Sequence, residues 1–112
     1  MVKQFEIWIA DLNPKIGTES GKIRPVLIIQ TNLLNKFHTS TIVIPLTTNI
    51  RPNSKKLRIH LKKGIANLKQ DCDIMIDQIR AIDNKRFVNK IGTLPPTYIA
   101  KVKTEILDIL DL

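Results

Sequence analysis

The chain has 112 residues, of which 43% are hydrophobic and 25% are charged, and its formal net charge is +8 at pH 7. This length and composition predict one globular domain spanning residues 1–112, and they exclude a large multidomain enzyme and a disordered chain. The single cysteine, Cys72, excludes an intramolecular disulfide and a cysteine-rich zinc cluster. It also suits a reducing cytoplasm, which is the expected location.

No segment has the pattern of a secretion signal or a membrane anchor. The N-terminal residues lack a long apolar run followed by a small-residue cleavage site. The longest fully apolar stretch, residues 25–29, is far too short to cross a bilayer. The sequence therefore predicts a protein without a membrane partner.

Charge is distributed unevenly along the chain. Between Glu19 and Asp71 there is no acidic residue, and the same window holds ten basic ones. These ten are Lys22, Arg24, Lys36, Arg51, Lys55, Lys56, Arg58, Lys62, Lys63 and Lys69. Such a block creates a positive potential that attracts a polyanion, which favours a nucleic acid as partner over an inert basic surface. With only five aromatic residues, a broad base-stacking platform is not expected.

Apolar and β-branched runs predict a chain that is mostly β-strand over its first eighty residues. The predicted strands are residues 5–10, 25–30, 41–48, 57–61 and 72–82. Residues 11–24 read as a long polar loop, residues 32–39 as a turn or short helix, and residues 51–56 as a polar connection. Pro45 predicts a sheet edge or a bulge near the end of its strand. The last predicted strand has mixed parity, which indicates a bulge or bend within it.

The periodicity changes towards the C-terminus. Residues 84–87 suit one helical turn, and apolar residues from Ile99 to Leu110 then recur at helical spacing. Pro95 and Pro96 suit the first turn of this helix, with Thr93 as a candidate cap. The predicted fold class is therefore mainly β (α+β): a small, mostly antiparallel β-barrel with one C-terminal helix.

Several polar residues are placed where they can bind a phosphate. Arg24 ends the long loop just before Pro25, which fixes the backbone, and a guanidinium binds phosphate through two parallel donors. Thr47 and Thr48 end a strand, where a hydroxyl can donate to a phosphoryl oxygen, although threonine is also common in strands. Glu19 is either a base, an orienting group for the arginine, or an ordinary loop charge.

A second polar group, from Asp77 to Arg80, interrupts an apolar run and suits either RNA contacts or a solvent-facing strand. His38 and His60 have no partner at metal or triad spacing, so catalysis by histidine is not expected. Cys72 is flanked by two aspartates, which disfavour a reactive thiolate.

At these residues the chain resembles the MazF/PemK (Kid) family of toxin endoribonucleases, and the similarity runs in order over nearly the whole sequence. The matching segments are Ile7-Trp8-Ile9-Ala10-Asp11-Leu12-Asn13-Pro14, Gly17-Thr18-Glu19, Arg24-Pro25-Val26-Leu27-Ile28-Ile29-Gln30, Pro45-Leu46-Thr47 and Asp77-Gln78-Ile79-Arg80-Ala81-Ile82-Asp83. The resemblance implies an SH3-like barrel, shared with CcdB gyrase poisons, that acts as a homodimer. It also implies an antitoxin partner with an acidic, flexible tail that covers the RNA site.

The implied activity is metal-independent cleavage of single-stranded RNA, without a cofactor. The family's catalytic arginine corresponds to Arg24, its strand-end threonine to Thr47, and the loop glutamate of some members to Glu19. Kid-like members use a late-strand arginine and aspartate; the aspartate corresponds to Asp77, but Met75 occupies the arginine position. This difference favours the Arg24 and Thr47 arrangement. The expected RNA-binding residues are Lys22, Thr48, Lys55, Lys56, Asp77, Gln78 and Arg80.

Two other functions fit parts of the sequence. A CcdB-like gyrase inhibitor would share the fold, but its inhibitory contact uses C-terminal aromatic chemistry, and this chain ends Ile109-Leu110-Asp111-Leu112 without a tryptophan. A non-catalytic basic barrel would bind RNA in a salt-dependent manner without cutting it.

Overall fold

A computed structural model describes residues 1–19, 21–54 and 57–112 of the chain. This part contains seven strands and two α-helices, with single 3₁₀ turns at Ile65–Asn67, Ile76–Gln78 and Asn84–Arg86. The elements are β1 (Glu6–Asp11), β2 (Ile23–Ile28), α1 (Asn32–Asn35), β3 (Ser40–Thr47), β4 (Arg58–Leu61), β5 (Cys72–Met75), β6 (Arg80–Asp83), β7 (Phe87–Thr93) and α2 (Pro96–Leu110).

All strand pairs are antiparallel and form one curled sheet. Its strand order is β4-β5-β3-β2-β1-β7, and β6 pairs with β3 beside β5. The predicted class, mainly β with a C-terminal helix, is confirmed. The sheet is not closed, however, because β4 and β7 remain at opposite ends of the strand order. The sheet is therefore curled like a barrel, but its hydrogen bonds do not form a complete ring.

Strand β3 is the centre of this arrangement. Along one edge it pairs with β2, and along the other it pairs first with β6 and then with β5. Pro45 lies between those two partners, where the second ladder is interrupted. The prediction of a sheet edge at Pro45 is wrong, since β3 is an interior strand. An interrupted ladder tolerates proline for the same reason that an edge does, because no hydrogen bond is lost there.

Two apolar layers lie on the two faces of the sheet. Ile7, Leu27, Ile44 and Leu46 belong to one layer, together with Val102 of α2. The other layer consists of Val2, Ala10, Leu12, Val26, Ile28, Val43 and Ile82, with Trp8 and Phe87 packed against it. Successive residues of β2 alternate between the two layers because side chains along a strand point to opposite faces. This explains why residues 25–29, which include most of β2, are apolar without interruption.

A buried carboxylate fixes the edge of the sheet where β7 pairs with β1. Glu6 accepts hydrogen bonds from the Lys3 amide at 2.8 Å and the Trp8 Nε1–H at 3.0 Å, and its other oxygen lies 2.8 Å from Lys90 Nζ. Burial acts to raise the pKa of Glu6, but these hydrogen bonds and the Lys90 charge lower it below its ordinary value. The carboxylate is therefore held ionised, and it connects the N-terminal segment, β1 and β7.

Helix α2 begins close to the predicted position. Pro96 is its first residue, as expected, and Pro95 occupies the cap position without a side-chain hydrogen bond. The predicted cap, Thr93, is wrong because this residue ends β7. In the described part of the chain, neither helix has the length and apolar character needed to span a membrane.

Candidate active site

A polar cleft of about 530 Å³ lies where β2 and β3 meet the loops around them. The loop between β1 and β2 forms one wall, and the segment from β3 to β4 and the turn after β5 form the others. The lining residues are Lys15, Thr18, Glu19, Gly21, Lys22, Arg24, Thr47, Asn49, Arg51, Ser54, Leu57, Arg58, Met75, Asp77 and Gln78. Five of these residues are basic and two are acidic, so the described part of the cleft carries a net positive charge.

Arg24 is fixed by two main-chain carbonyls inside the cleft. It is the second residue of β2, and its Nε–H donates to the Gly21 carbonyl at 2.8 Å. One terminal nitrogen donates to the Leu46 carbonyl at 3.3 Å. None of the ion pairs in the described ranges includes Arg24. The guanidinium is therefore oriented without neutralisation of its charge.

Partial burial gives this arginine a stronger interaction with anions. Desolvation lowers the pKa of Arg24 from its ordinary value. The same removal of water reduces the screening of the charge, so an anion entering the cleft is attracted more strongly than at an exposed arginine.

Thr47 presents its hydroxyl at the same strand end. Its Oγ1 accepts a hydrogen bond from the Asn49 amide at 3.1 Å, which fixes the oxygen. Since that bond uses a lone pair, the hydroxyl proton remains available for donation to a bound group. The preceding residue, Leu46, supplies the carbonyl that holds Arg24. The two predicted catalytic groups are thus anchored to one point of β3.

The loop between β1 and β2 has a defined base. The Lys22 amide donates to Asn13 Oδ1 at 2.8 Å, and the Lys22 carbonyl accepts from the Leu12 amide at 2.8 Å. Arg86 donates to the carbonyls of Asp11 and Asn13 at 3.0 and 2.7 Å. Lys22 itself has a φ of +70°, a left-handed conformation that is strained for a residue with a side chain. These contacts hold the strained turn directly before Arg24.

The other predicted site residues fall into three groups. Glu19 on the loop, together with Asp77 and Gln78 on the turn after β5, lines the cleft. Thr48 and Arg80 are not among the residues lining it. Lys55 and Lys56 lie outside the described residues.

Two arginines of the basic block line the cleft although the sequence did not single them out as site residues. Arg51 and Arg58 line the cleft, and Arg58 donates to the Asn49 carbonyl at 2.7 Å. Their charges were visible in the sequence, but their place in the cleft depends on how the chain after β3 folds and on the pairing of β4 with β5. The acid-free window therefore predicted the polarity of the site without identifying its individual basic residues.

The two histidines and the cysteine lie outside the lining of the cleft. His60 contacts Asp71 and Asp73 at 3.4 and 3.1 Å, and His38 is exposed. Burial, together with the charges of Asp71 and Asp73, raises the pKa of the Cys72 thiol. A raised pKa keeps the thiol protonated, so Cys72 is not an activated nucleophile.

Comparisons with known proteins show the family to which the chain belongs. Residues 3–110 match the sequence model of a family described as the PemK-like, MazF-like toxin of type II toxin–antitoxin systems. Endoribonuclease EndoA of Bacillus subtilis strain 168 is 33% identical over 102 residues, which are 91% of this chain and 88% of that protein.

Solved structures of similar fold cover almost the whole chain. The Mycobacterium tuberculosis toxin MazF-mt6 superposes with a TM-score of 0.79 at 24% identity, over 96% of this chain and 97% of that one. An endoribonuclease from a mycobacterial species, solved with its cognate antitoxin, superposes with a TM-score of 0.81 at 17% identity, over 100% and 97% of the two chains. The chain therefore belongs to the PemK-like, MazF-like family of type II toxins.

Proposed function

We propose that this toxin is an endoribonuclease that cuts single-stranded RNA, mRNA in particular, without a metal ion or cofactor. The observation that carries the proposal is that Arg24, held by the Leu46 carbonyl, and Thr47 line the same cleft at one end of β3. A curated relative that shares 33% of its residues with this chain is named an endoribonuclease. The positive lining of the cleft supports a polyanionic substrate.

The proposed reaction is an attack within the RNA itself. The ribose 2′-oxygen forms a bond to the adjacent phosphorus, and the bond from phosphorus to the 5′-oxygen breaks. The products are a 2′,3′-cyclic phosphate and a 5′-hydroxyl, so one proton leaves the 2′-OH and one is delivered to the 5′-oxygen. Because DNA lacks the 2′-OH, the chemistry itself selects RNA.

Arg24 and Thr47 stabilise the transition state of this reaction. Negative charge develops on the non-bridging phosphoryl oxygens, where the guanidinium supplies a fixed positive charge and the hydroxyl donates a hydrogen bond. Both groups are oriented before the RNA arrives, so little reorganisation opposes the reaction. Glu19 and Asp77 both line the cleft and are the two candidate bases for the 2′-OH proton; we propose Glu19 because it lies on the loop that leads to Arg24.

RNA binding is assigned to the rest of the cleft and its rim. Lys22, Asp77 and Gln78 line the cleft and are positioned to contact phosphate or base edges. Thr48, Arg80, Lys55 and Lys56 remain proposed contacts for the RNA on either side of the cut.

The proposed partners follow from charge and from exposed apolar surface. An antitoxin with an acidic, flexible tail would neutralise the toxin by occupying the same positive cleft. Leu107 and Leu110 on α2 are about half exposed, which supports burial against a second copy in a homodimer. We place the protein in the cytoplasm, where its mRNA substrate is found.

An assay with Arg24→Ala tests the proposed function. Wild type is incubated with a long single-stranded RNA in EDTA, and the fragment ends are analysed. We expect discrete fragments with 2′,3′-cyclic phosphate ends, and a loss of rate of about 10²–10³ in the variant because one transition-state contact is removed. Lys36→Ala, at an exposed position away from the cleft, is the control and should cut like wild type.

The outcomes separate the competing functions. Cleavage that stops in EDTA contradicts the metal-independent mechanism. RNA that is bound but left intact by wild type favours a non-catalytic binding protein. Toxicity in cells that depends on gyrase, with RNA left intact, favours a gyrase inhibitor.

A further inference from the structure

We propose that Asp73 is a positioning residue for RNA binding, which acts by holding one wall of the cleft in place. The proposal rests on the endoribonuclease function given above and adds a residue to it. Asp73 lies on β5, directly opposite Thr47 in the β3–β5 pairing, but it does not line the cleft. Its effect on RNA must therefore pass through the groups that it contacts.

Asp73 is a buried carboxylate with three partners. Its side chain is 3% exposed. Its Oδ2 accepts from the Arg51 amide at 2.9 Å and lies 3.4 Å from a terminal nitrogen of Arg58. Its Oδ1 lies 3.1 Å from His60 Nδ1. Burying a carboxylate is unfavourable unless such partners compensate for the lost hydration.

These contacts fix both ends of one segment. Arg51 and Arg58 bracket residues 51–58, and both line the cleft. The same terminal nitrogen of Arg58 donates to the Asn49 carbonyl at 2.7 Å, which ties the segment to the end of β3. A single carboxylate therefore holds the beginning and the end of the segment against β5.

Three described residues of this segment lie between two cavities. Arg51, Ser54 and Arg58 line the RNA cleft on one side and a second cavity of about 700 Å³ on the other, beside α2. Without the carboxylate, the Arg51 main chain and the Arg58 side chain lose their common anchor beside the cleft.

The test compares Asp73→Asn with Asp71→Asn. Both variants remove one negative charge beside His60, but Asp71 contacts the Lys63 amide and His60 and does not contact Arg51 or Arg58. Cleavage is measured by steady-state kinetics on a labelled RNA oligonucleotide that spans a cut made by wild type. For Asp73→Asn we expect KM to rise about tenfold, with kcat within about threefold of wild type, since hydrogen bonds to a charged group are lost on the binding side. For Asp71→Asn we expect the KM of wild type.

A second variant covers the case in which Asp73→Asn does not fold, which thermal unfolding will show. Arg58→Lys keeps the cation but replaces the rigid guanidinium whose one terminal nitrogen contacts both Asn49 and Asp73, so KM should rise to a similar extent. An unchanged KM in either folded variant overturns the proposal, and so does a fall in kcat alone. A wild type that cuts no RNA overturns the function itself, whereas a wild type that cuts normally beside an unaffected Asp73→Asn overturns only the role of Asp73.

Discussion

At the scale of single residues, a hydroxyl helps a phosphoryl transfer only when its proton is free. Thr47 meets this condition because the Asn49 amide donates to a lone pair of Oγ1, which leaves the hydroxyl proton available to donate to the RNA. The side chain is also restrained by its position at the end of β3, beside the carbonyl that orients Arg24. A donor oriented in advance contributes more than a flexible one, since it pays no reorganisation during the reaction.

Two substitutions of Thr47 distinguish the effect of its hydroxyl on activity from the effect of its side-chain shape. We expect Thr47→Val, which keeps the shape, to lower kcat by about 10²–10³, and Thr47→Ser to retain most of the activity. Single-turnover cleavage of a labelled RNA measures the effect. Thr97→Val, at an exposed position in the first turn of α2, is the control. Equal activity of the valine and serine variants would contradict a role for the hydroxyl.

The sequence predicted these two residues more readily than it predicted their surroundings. Arg24 precedes a proline and an apolar strand, and Thr47 ends a β-branched strand, so local pattern made them candidates, and the family resemblance then assigned them a catalytic role. The carbonyls that hold Arg24 belong to Gly21 and Leu46, and the second of these depends on how β2 and β3 align. Asp73 was not selected, because its importance comes from contacts with residues far away in the sequence.

At the scale of elements, the loop between β1 and β2 controls the orientation of Arg24. Gly21 is buried, and a Cβ at this position would lie 2.6 Å from the Lys15 Cβ. The loop must therefore move to accept any side chain there. Such a movement displaces the Gly21 carbonyl, which accepts the hydrogen bond from Arg24 Nε–H.

Gly21→Ala should thus impair chemistry more than folding. We expect kcat to fall by roughly tenfold to a hundredfold, because small displacements of a catalytic group cost that much. Cleavage kinetics and thermal unfolding, measured on the same preparation, test this. The control is Gly17→Asn in the same loop, where φ is +59° and no atom lies within 4 Å of a new Cβ. Asparagine tolerates that conformation, so this variant should cut RNA normally. A Gly21→Ala protein with normal kcat would show that the loop does not position Arg24.

Strands were predicted well where buried and exposed side chains follow a regular pattern along the chain, and poorly where they do not. The mixed parity of residues 72–82 correctly indicated a bend, which the structure resolves into β5, a 3₁₀ turn and β6. Strand β7 was missed, because most of its side chains are exposed or half-buried and show no alternation. Its pairing with β1 is irregular, with register shifts at two places, and comes from tertiary contacts such as Glu6 with Lys90. Propensity carries little information about a strand of this kind.

At the scale of the whole molecule, the net charge of +8 matters through its concentration at one site. Five basic residues line the cleft in the described part of the chain, and the two acidic residues there do not balance them. A nucleic acid that neutralises these charges releases counterions, so its binding weakens as salt rises. An acidic antitoxin tail would respond to the same field.

The salt dependence of binding measures how many of these charges contact the backbone. A single-stranded oligonucleotide lacking 2′-hydroxyls is bound but not cut, so its affinity can be followed by fluorescence anisotropy from about 50 to about 300 mM KCl. With three to five phosphates contacted, log K should fall with log salt at a slope of roughly −2 to −3.5. Arg51→Ala should reduce the steepness by about 0.7, the contribution of one phosphate on a single strand. Lys36→Gln removes an equal charge from a residue that does not line the cleft and should leave the slope unchanged. Equal slopes for both variants would mean that the phosphates lie elsewhere on the basic surface, and that the cleft is not the path of the RNA.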